Sequence, residues 1–464
     1  MEYEDTLFDS YEKGESKAQR AFELYENGKI ALALMELEAA IEINPLNSSW
    51  HFNKALTLDA IDRFEDAITE YELAMQLNPL DPEILNSLAV DYTRVGQYDL
   101  AIDTFEHIEK LAPAFEPCYC NRIISYTEMG QHDLAEQMFY LAQQLKPDCA
   151  LCYYNIGNSL FVRGQYKKAV RCWLRAAELE PAHPQINYRI AQAYWADGEN
   201  ALAQEHFLSE LRANPGDIEV ILDFGLLLLS IGNIESAKEK FNRILELKPG
   251  FAAALFYLGE IAFNSSDYEH AAELFNQAIQ NDNTLTGPRY RLAQYALMRA
   301  NNEEAKDYLV GEMKLALEDA ETLVSMGSMF LAIGELDYAA HCMLRAINIE
   351  PSSSKDTKPS SQHSVAADAY YYLGLISAVK GRFEEALELF GHSLDLRPGH
   401  VWALRDSAVV YLAVGRSEAA AERINKAVTL AGDQWQLRSL ARRTRAAKIR
   451  EQITGMFRRL VSRF

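Results

Sequence analysis

The chain has 464 residues, a formal net charge of −22 and an isoelectric point near 5.0. Phosphate backbones are gripped by clustered Lys and Arg, so this balance argues against a general nucleic-acid role and favours solubility. Six cysteines without the density of a disulfide scaffold fit a reducing, cytoplasmic compartment. The acidic first residues, MEYEDTLFDSYEKGE, lack the apolar core of a secretory signal, and the longest apolar run, Phe251 to Gly259, is too short to cross a bilayer.

Residues 1–13 read as a loose acidic lead-in. Ten units of 34 residues then follow without insertion or deletion from Gly14 to Ser353. Arg20, in the first unit, stands where most later units carry an apolar residue, as suits an end that meets solvent. The clearest copy runs from Ala150 to Ala182. Its spacing predicts one helix over Leu151–Arg163, a turn at Gly164 and Gln165, and a second helix over Tyr166–Leu179, ended at Pro181. Tyr153, Ile156, Gly157 and Leu160 share one face of the first helix; Ala169, Trp173 and Ala176 share one face of the second. Gly157 and Ala169 are small and allow a close crossing, while Gly164 tolerates the positive φ of a tight turn.

Steps of 34 from Pro181 reach Pro147, Pro113, Pro79 and Pro45 in one direction and Pro215 and Pro249 in the other. The second-helix alanine recurs at Ala33, Ala67, Ala101, Ala135, Ala169, Ala203, Ala237, Ala271, Ala305 and Ala339, then at Ala386 and Ala420. The first-helix position is Gly or Ala in every unit except at Ile123. Asn283, Glu312 and Leu317 depart from the pattern, so looser packing is expected over residues 280–320. Residues 354–366, SKDTKPSSQHSVA, break the phase and read as a polar loop. Two more units span 367–434. The last 30 residues, 435–464, hold nine Arg or Lys and one acid, a net of +8 that leaves −30 on the rest. There Ile453, Phe457, Leu460 and Phe464 lie on one apolar stripe, with Met456 and Val461, and a weaker stripe of Leu437, Leu440, Ala441 and Thr444 precedes it. The tail is expected to cap the array or dock on another protein or a second copy; lipid contact is not favoured, because the body is acidic.

The period and residues such as Leu88, Ala89, Tyr92, Ala101, Phe105 and Pro113 in one unit, or Met326, Gly327, Phe330, Ala339, Ala346 and Pro351 in another, resemble the tetratricopeptide repeat family. The resemblance covers Gly14 to Gly432 in twelve copies and implies an all-α, right-handed superhelical solenoid of antiparallel helix pairs.

In that family the second stripe of each first helix lines a concave surface. Here it holds Phe52, Asn53, Asn86, Asn121, Tyr154, Asn155, Asn158 and Phe161, then Tyr188, Arg189, Gln192 and Trp195, and later Phe256, Tyr257, Glu260, Tyr290 and Arg291. Amides can bond the backbone of an extended peptide and rings supply contact area at low entropic cost, so a peptide-binding groove is expected. A carboxylate clamp of the kind found in chaperone-adaptor members is not supported: Asn155, Asn158 and Arg189 fall on adjacent helices, but Tyr154 and Tyr188 stand where lysine is wanted.

No phosphate loop, HExxH, GxSxG or EF-hand pattern occurs, so no enzyme and no cofactor are expected. Cys118, Cys120, Cys149 and Cys152 open two successive units, but Cys118 and Cys120 are two apart and point away from each other on a helix. They read as packing residues, with no metal, as do Cys172 and Cys342. The expected function is a scaffold or adaptor holding a partner peptide or protein. The rival is an assembly or regulatory subunit docked by its basic tail to a membrane or larger complex.

Overall fold

The computed structural model describes the backbone of residues 2–431, apart from Ala182, Pro184, 316–318 and 350–358, and then 438–446. All regular structure among them is helical, and no helix is long and apolar enough to cross a membrane. The chain divides into two compact units, 1–232 and 233–464.

In the first unit α1 (Glu2–Glu26) packs on α2 (Ile30–Ile43), α3 (Ser48–Asp59) on α4 (Phe64–Leu77), and α5 (Pro82–Arg94) on α6 (Tyr98–Leu111). The pairs α7 (Glu116–Glu128) with α8 (His132–Leu145), α9 (Ala150–Val162) with α10 (Tyr166–Leu179), and α11 (Ile186–Ala196) with α12 (Asn200–Ala213) follow, and α13 (Ile218–Ser230) closes the unit. The second unit opens with α14 (Ile234–Leu247). It continues with the pairs α15 (Ala252–Asn264) with α16 (Tyr268–Asn281), α17 (Pro288–Met298) with α18 (Asn302–Met313), and α19 (Ala320–Ala332) with α20 (Leu336–Asn348). Last come α21 (Pro359–Val379) with α22 (Phe383–Leu396), α23 (Val401–Ala413) with α24 (Ser417–Ala431), and a helical segment over 438–446.

Local chemistry explains these boundaries. The side chains of Asn47, Asp81, Asp217 and Asp319 accept backbone N–H groups at the starts of α3, α5, α13 and α19, satisfying donors that have no intrahelical partner. The turn that ends each first helix carries one left-handed residue. It is Gly at 28, 96, 130, 164, 198, 232, 334, 381 and 415, and Asp62, Ser266 and Ala300 at the three remaining turns. The next residue's N–H then reaches back five positions, as from Gln165 to Leu160 O at 2.8 Å and from Asn301 to Ala296 O at 2.9 Å.

The core is a file of close crossings. All twelve second-helix alanines are 0% exposed. Opposite four of the first-helix glycines sits a large residue: a Cβ added to Gly157 would meet the Trp173 ring at 2.4 Å, and one added to Gly259 or Gly374 would meet Phe275 or Phe390 at 2.6 Å, with Met343 likewise at Gly327. Ring size and the missing side chain are therefore matched, and the interior is filled to the density close packing requires.

Two expectations change. Residues 1–13 are not a loose lead-in, since α1 starts at Glu2; Gly14 lies inside that helix, where Trp50 occupies the space of a side chain. The interruption at 354–366 is not all loop: α21 begins at Pro359, a residue pre-set for the first helical position, and neither Gly nor Pro follows it within the interruption. Residues 350–358 lie outside the described part. Around residues 280–320 the pair α17 with α18 is filled, but α18 packs on the following α19 more sparsely than any other second helix of its unit packs on the next first helix, as the departures from the repeat lead one to expect. Leu292, Ala293, Ala305 and Leu309 are buried, and Glu312 is 0% exposed, its carboxylate accepting the Gly287 N–H at 2.5 Å. An acid fits this small-residue position because it caps the unpaired N–H groups that open α17. Burial raises its pKa, against those same backbone hydrogen bonds. Leu317 lies outside the described residues. The tail is described only in part: Leu440 and Ala441 pack against the cluster containing Phe390, Leu404 and Ile424, and Thr444 is buried, so the weaker stripe covers the last pair. Leu437, Ile453, Phe457, Leu460 and Phe464 lie outside the described residues.

Three outcomes follow from this packing. Ala169→Leu forces a branched chain into a filled crossing and should lower stability by about 1–3 kcal/mol in urea unfolding. Ala300→Gly relieves a left-handed Ala without removing a contact and should raise stability by about 1 kcal/mol in the same assay. Asp91 is buried beside Arg94 Nη1 at 3.0 Å, and its carboxyl is pushed up to about 6 by burial and then by Asp59, against the pull of Arg94. Its folded pKa exceeds the unfolded one, so its contribution to stability is fullest near pH 4 and falls as pH rises through about 6. Asp91→Asn should remove that slope, a difference of about 2–3 kcal/mol between variant and parent over pH 4–7.

Candidate functional site

Successive first helices also pack on one another, α7 on α9 in the first unit and α19 on α21 in the second. This approach makes the first helices an inner row, and the stripe pointing away from the paired second helix faces the seams of that row. Side chains on it divide into those that stitch the seam and those that look out of it.

The stitches repeat in one register. Asn121 Nδ2 donates to Asn86 Oδ1 at 3.1 Å. Asn155 Nδ2 donates to the Cys120 carbonyl at 2.9 Å. Tyr188 OH donates to Asp223 at 2.8 Å, with Glu219 at 3.2 Å, and Tyr371 OH donates to Asp406 at 2.9 Å. Each of the two phenol bonds joins a residue three before the small position of one first helix to a residue two before it on the next. Asn155 and Tyr188 are both 2% exposed, so the structure removes them from the surface a partner could touch. The sequence placed both in the groove because polar and aromatic groups there suggested recognition; at a buried seam the same groups are needed as hydrogen-bond partners. Burial, then Asp223 and Glu219, holds the Tyr188 phenol far above its ordinary value, so it is a neutral donor.

Other groove candidates support neighbours. Phe52 packs on Tyr71 at 5.7 Å between ring centroids, while Asn53 is exposed. Tyr154 lies against His183 at 4.3 Å, and its carbonyl accepts the Trp173 indole N–H at 3.1 Å. Asn158 is half-buried beside it. In the second unit Phe256 packs on Phe275 at 5.9 Å and Tyr257 on Phe241 at 5.5 Å.

What looks outward is a fixed polar relay beside an apolar hollow. Arg189 Nη1 donates to Gln192 Oε1 at 3.2 Å, and Gln192 Nε2 donates to Asp223 Oδ2 at 3.0 Å. Phe161, Gln192, Trp195, Ala196 and Asp223 line an open hollow of about 260 Å³. The second unit repeats the arginine-to-glutamine step of this relay 102 residues later, three periods on, with different partners at its ends. There Arg291 donates to Gln294 at 2.9 Å and grips Glu260 with both arms at 2.5 and 2.6 Å, and Gln294 donates to Tyr290 OH at 3.0 Å. Asp223, Glu219 and Gln294 were missed from the sequence. Asp223 was within reach: two periods beyond Asn155, it holds the same register.

Three of the six cysteines are packing residues as read from the sequence, and three are not. Cys118 is one: its thiol donates to the Phe105 carbonyl at 3.3 Å and burial pushes its pKa up to about 12. Cys342 is also buried, with burial raising its pKa to about 11, while Cys172 is half-buried. Cys120 and Cys152 instead form a disulfide across the α7–α9 seam, with Cα atoms 5.0 Å apart. Cys149 Sγ lies 3.5 Å from Cys120 Sγ, and Glu116 Oε1 is 2.7 Å from Cys120 Sγ and 3.2 Å from Cys152 Sγ. The sequence argument tested Cys118 against Cys120; the residue one helical turn before Cys120 is Glu116, and that spacing does put two side chains on one face.

No curated protein matches the chain. Among solved structures, a thermophilic TPR protein of Thermus thermophilus is 22% identical, covering 39% of this chain and 100% of its own, with a TM-score of 0.37. The APC/C hetero-tetramer Cut9–Hcn1 is 14% identical over 93% of this chain and 96% of that one, with a TM-score of 0.40. Yeast Tom70 is 14% identical over 95% and 96%, with a TM-score of 0.37. Tetratricopeptide repeat models match residues 19–82, 222–285 and 380–443, and a TPR repeat model matches 157–198. The matches fall on helix pairs with the alanine crossing and left-handed turn described above: the chain belongs to the tetratricopeptide repeat family, whose arrays serve generally as protein-interaction scaffolds.

Proposed function

We propose that the chain is a non-catalytic scaffold that holds an extended segment of a partner protein along the inner row of the first unit, centred on the hollow beside Trp195. The observation that carries this is the fixed acceptor next to an apolar recess. Asp223 is held by Tyr188 and Gln192 before any partner arrives, and Phe161 and Trp195 wall the recess. A preset carboxylate needs no reorganisation on binding, and a half-exposed indole gives large contact area with few rotors. The segment best suited carries a basic side chain for Asp223 next to an apolar one for the recess. The net charge of −22 also speeds encounter with such a segment.

A peptide library selected on the full-length chain should yield segments with that pairing. Trp195→Ala should weaken a selected peptide about tenfold or more, as loss of a central aromatic anchor does, with unchanged helicity. Asp223→Asn should reduce the preference for the basic residue and the salt dependence of binding. Equal affinity of parent and Trp195→Ala would count against this site. Asn155→Ala and Tyr188→Ala should act on stability, as their burial requires.

A further inference from the structure

We propose that Glu116, Cys120, Cys149 and Cys152 form a four-ligand site for a thiophilic divalent cation, zinc, at the seam between α7 and α9. The four ligand atoms lie within 4.8 Å of one another. Tetrahedral zinc with thiolate bonds near 2.3 Å wants its ligand atoms about 3.8 Å apart, so the cluster closes on an ion with small side-chain movements. The site rests on rigid elements. Glu116 and Cys120 are one turn apart at the start of α7; Cys149 is the N-cap of α9 and Cys152 sits in its first turn.

The surroundings suit bound thiolates. The Cys152 N–H donates to Cys149 Sγ at 3.4 Å, a bond that gains strength when the sulfur is anionic. Asn155 fixes the Cys120 carbonyl at 2.9 Å and so sets the separation of the two helices at the site. The three sulfurs are buried while Glu116 is half-exposed, which leaves an entry path. Three sulfurs and one carboxylate select zinc over magnesium or calcium.

A Cys120–Cys152 disulfide and the ion exclude each other. The disulfide employs two of the four groups and leaves Cys149, otherwise only the cap of α9, and Glu116 converging on the same point; the cation uses all four. Opening the disulfide takes two electrons and two protons from a dithiol. Zinc then displaces three thiol protons and binds the carboxylate directly, so affinity rises with pH. The ion would pin the two helices that carry Asn121, Tyr154 and Asn158. This site is separate from the hollow at Trp195, and either can fail alone.

The test uses the full-length chain, reduced with a dithiol that is then removed without air, and titrated with Co²⁺ followed by Zn²⁺. One Co²⁺ per chain should bind, with thiolate-to-metal charge transfer and the intense d–d bands of a tetrahedral site, and one Zn²⁺ should displace it. Cys149→Ser and Cys152→Ser should each lose affinity by about 100-fold, and Glu116→Gln by about tenfold, these effects being at least those of outer-shell changes. Cys118→Ser and Cys172→Ser should bind as the parent does. A reduced, helical parent chain that takes up no Co²⁺, gives the weak bands of an octahedral ion, or, on addition of a disulfide oxidant, re-forms the Cys120–Cys152 disulfide as fast with one equivalent of zinc as without it overturns the site. So does a Cys149→Ser chain that binds as well as the parent. Because the parent spectrum decides first, variants that fail to fold do not shield the proposal.

Discussion

The molecule depends on one contact repeated within both units: a second-helix alanine with no exposed surface, crossing a first helix at its smallest residue. At Gly157, Gly259, Gly327 and Gly374 an indole, a phenyl ring or a methionine fills the space a Cβ would take, as Trp173 does at Gly157 and Met343 at Gly327. The crossing fixes the distance between paired helices, and the left-handed residue of the turn fixes their direction. Both are local in sequence, within about one repeat, so each pair can form from nearby contacts and stability passes between neighbours rather than through one global core.

Between pairs the coupling is of another kind. The inner row is stitched by side chains: amide to amide at Asn86 and Asn121, amide to carbonyl at Asn155 and Cys120, phenol to carboxylate at Tyr188 and Asp223 and again at Tyr371 and Asp406. Apolar packing alone would tolerate sliding of one first helix along the next. A directional bond at each of these seams resists it, since a slip would leave a buried donor or acceptor without a partner. The chemistry that stitches the seam is the chemistry that recognises a peptide backbone. On this face only exposure separates the two roles, and it leaves Gln192, Trp195 and Asp223 beside the open hollow.

The seam between α7 and α9 adds a cluster of sulfurs to its amide bond. It lies under the stretch where the predicted groove residues are densest, so whatever holds Glu116, Cys120, Cys149 and Cys152 together also sets the spacing of Asn121, Tyr154 and Asn158. Glu312 shows a parallel economy in the second unit. A group that departs from the repeat is placed where the next helix has unpaired N–H groups, and the departure becomes a cap.

The sequence by itself determined the repeat, its phase, the helix pairs and the face each pair buries. These follow from periodicity, from alanine and glycine at fixed spacing and from prolines that end the second helices, all of which act over a few residues. It also marked Gln192 and Trp195, since they share a stripe with Tyr188. Only the tertiary structure decided which members of that stripe are sealed in the seam. Asn53 and Asn155 hold the same position in the repeat, yet Asn155 is sealed against the Cys120 carbonyl and Asn53 is exposed; the period does not distinguish them, because the difference lies in what the neighbouring helix presents. The meeting of Glu116 with three cysteines is of the same sort. Two side chains one turn apart on α7 and two at the tip of α9 converge because the packed helices bring those ends together, a distance no spacing along the chain records.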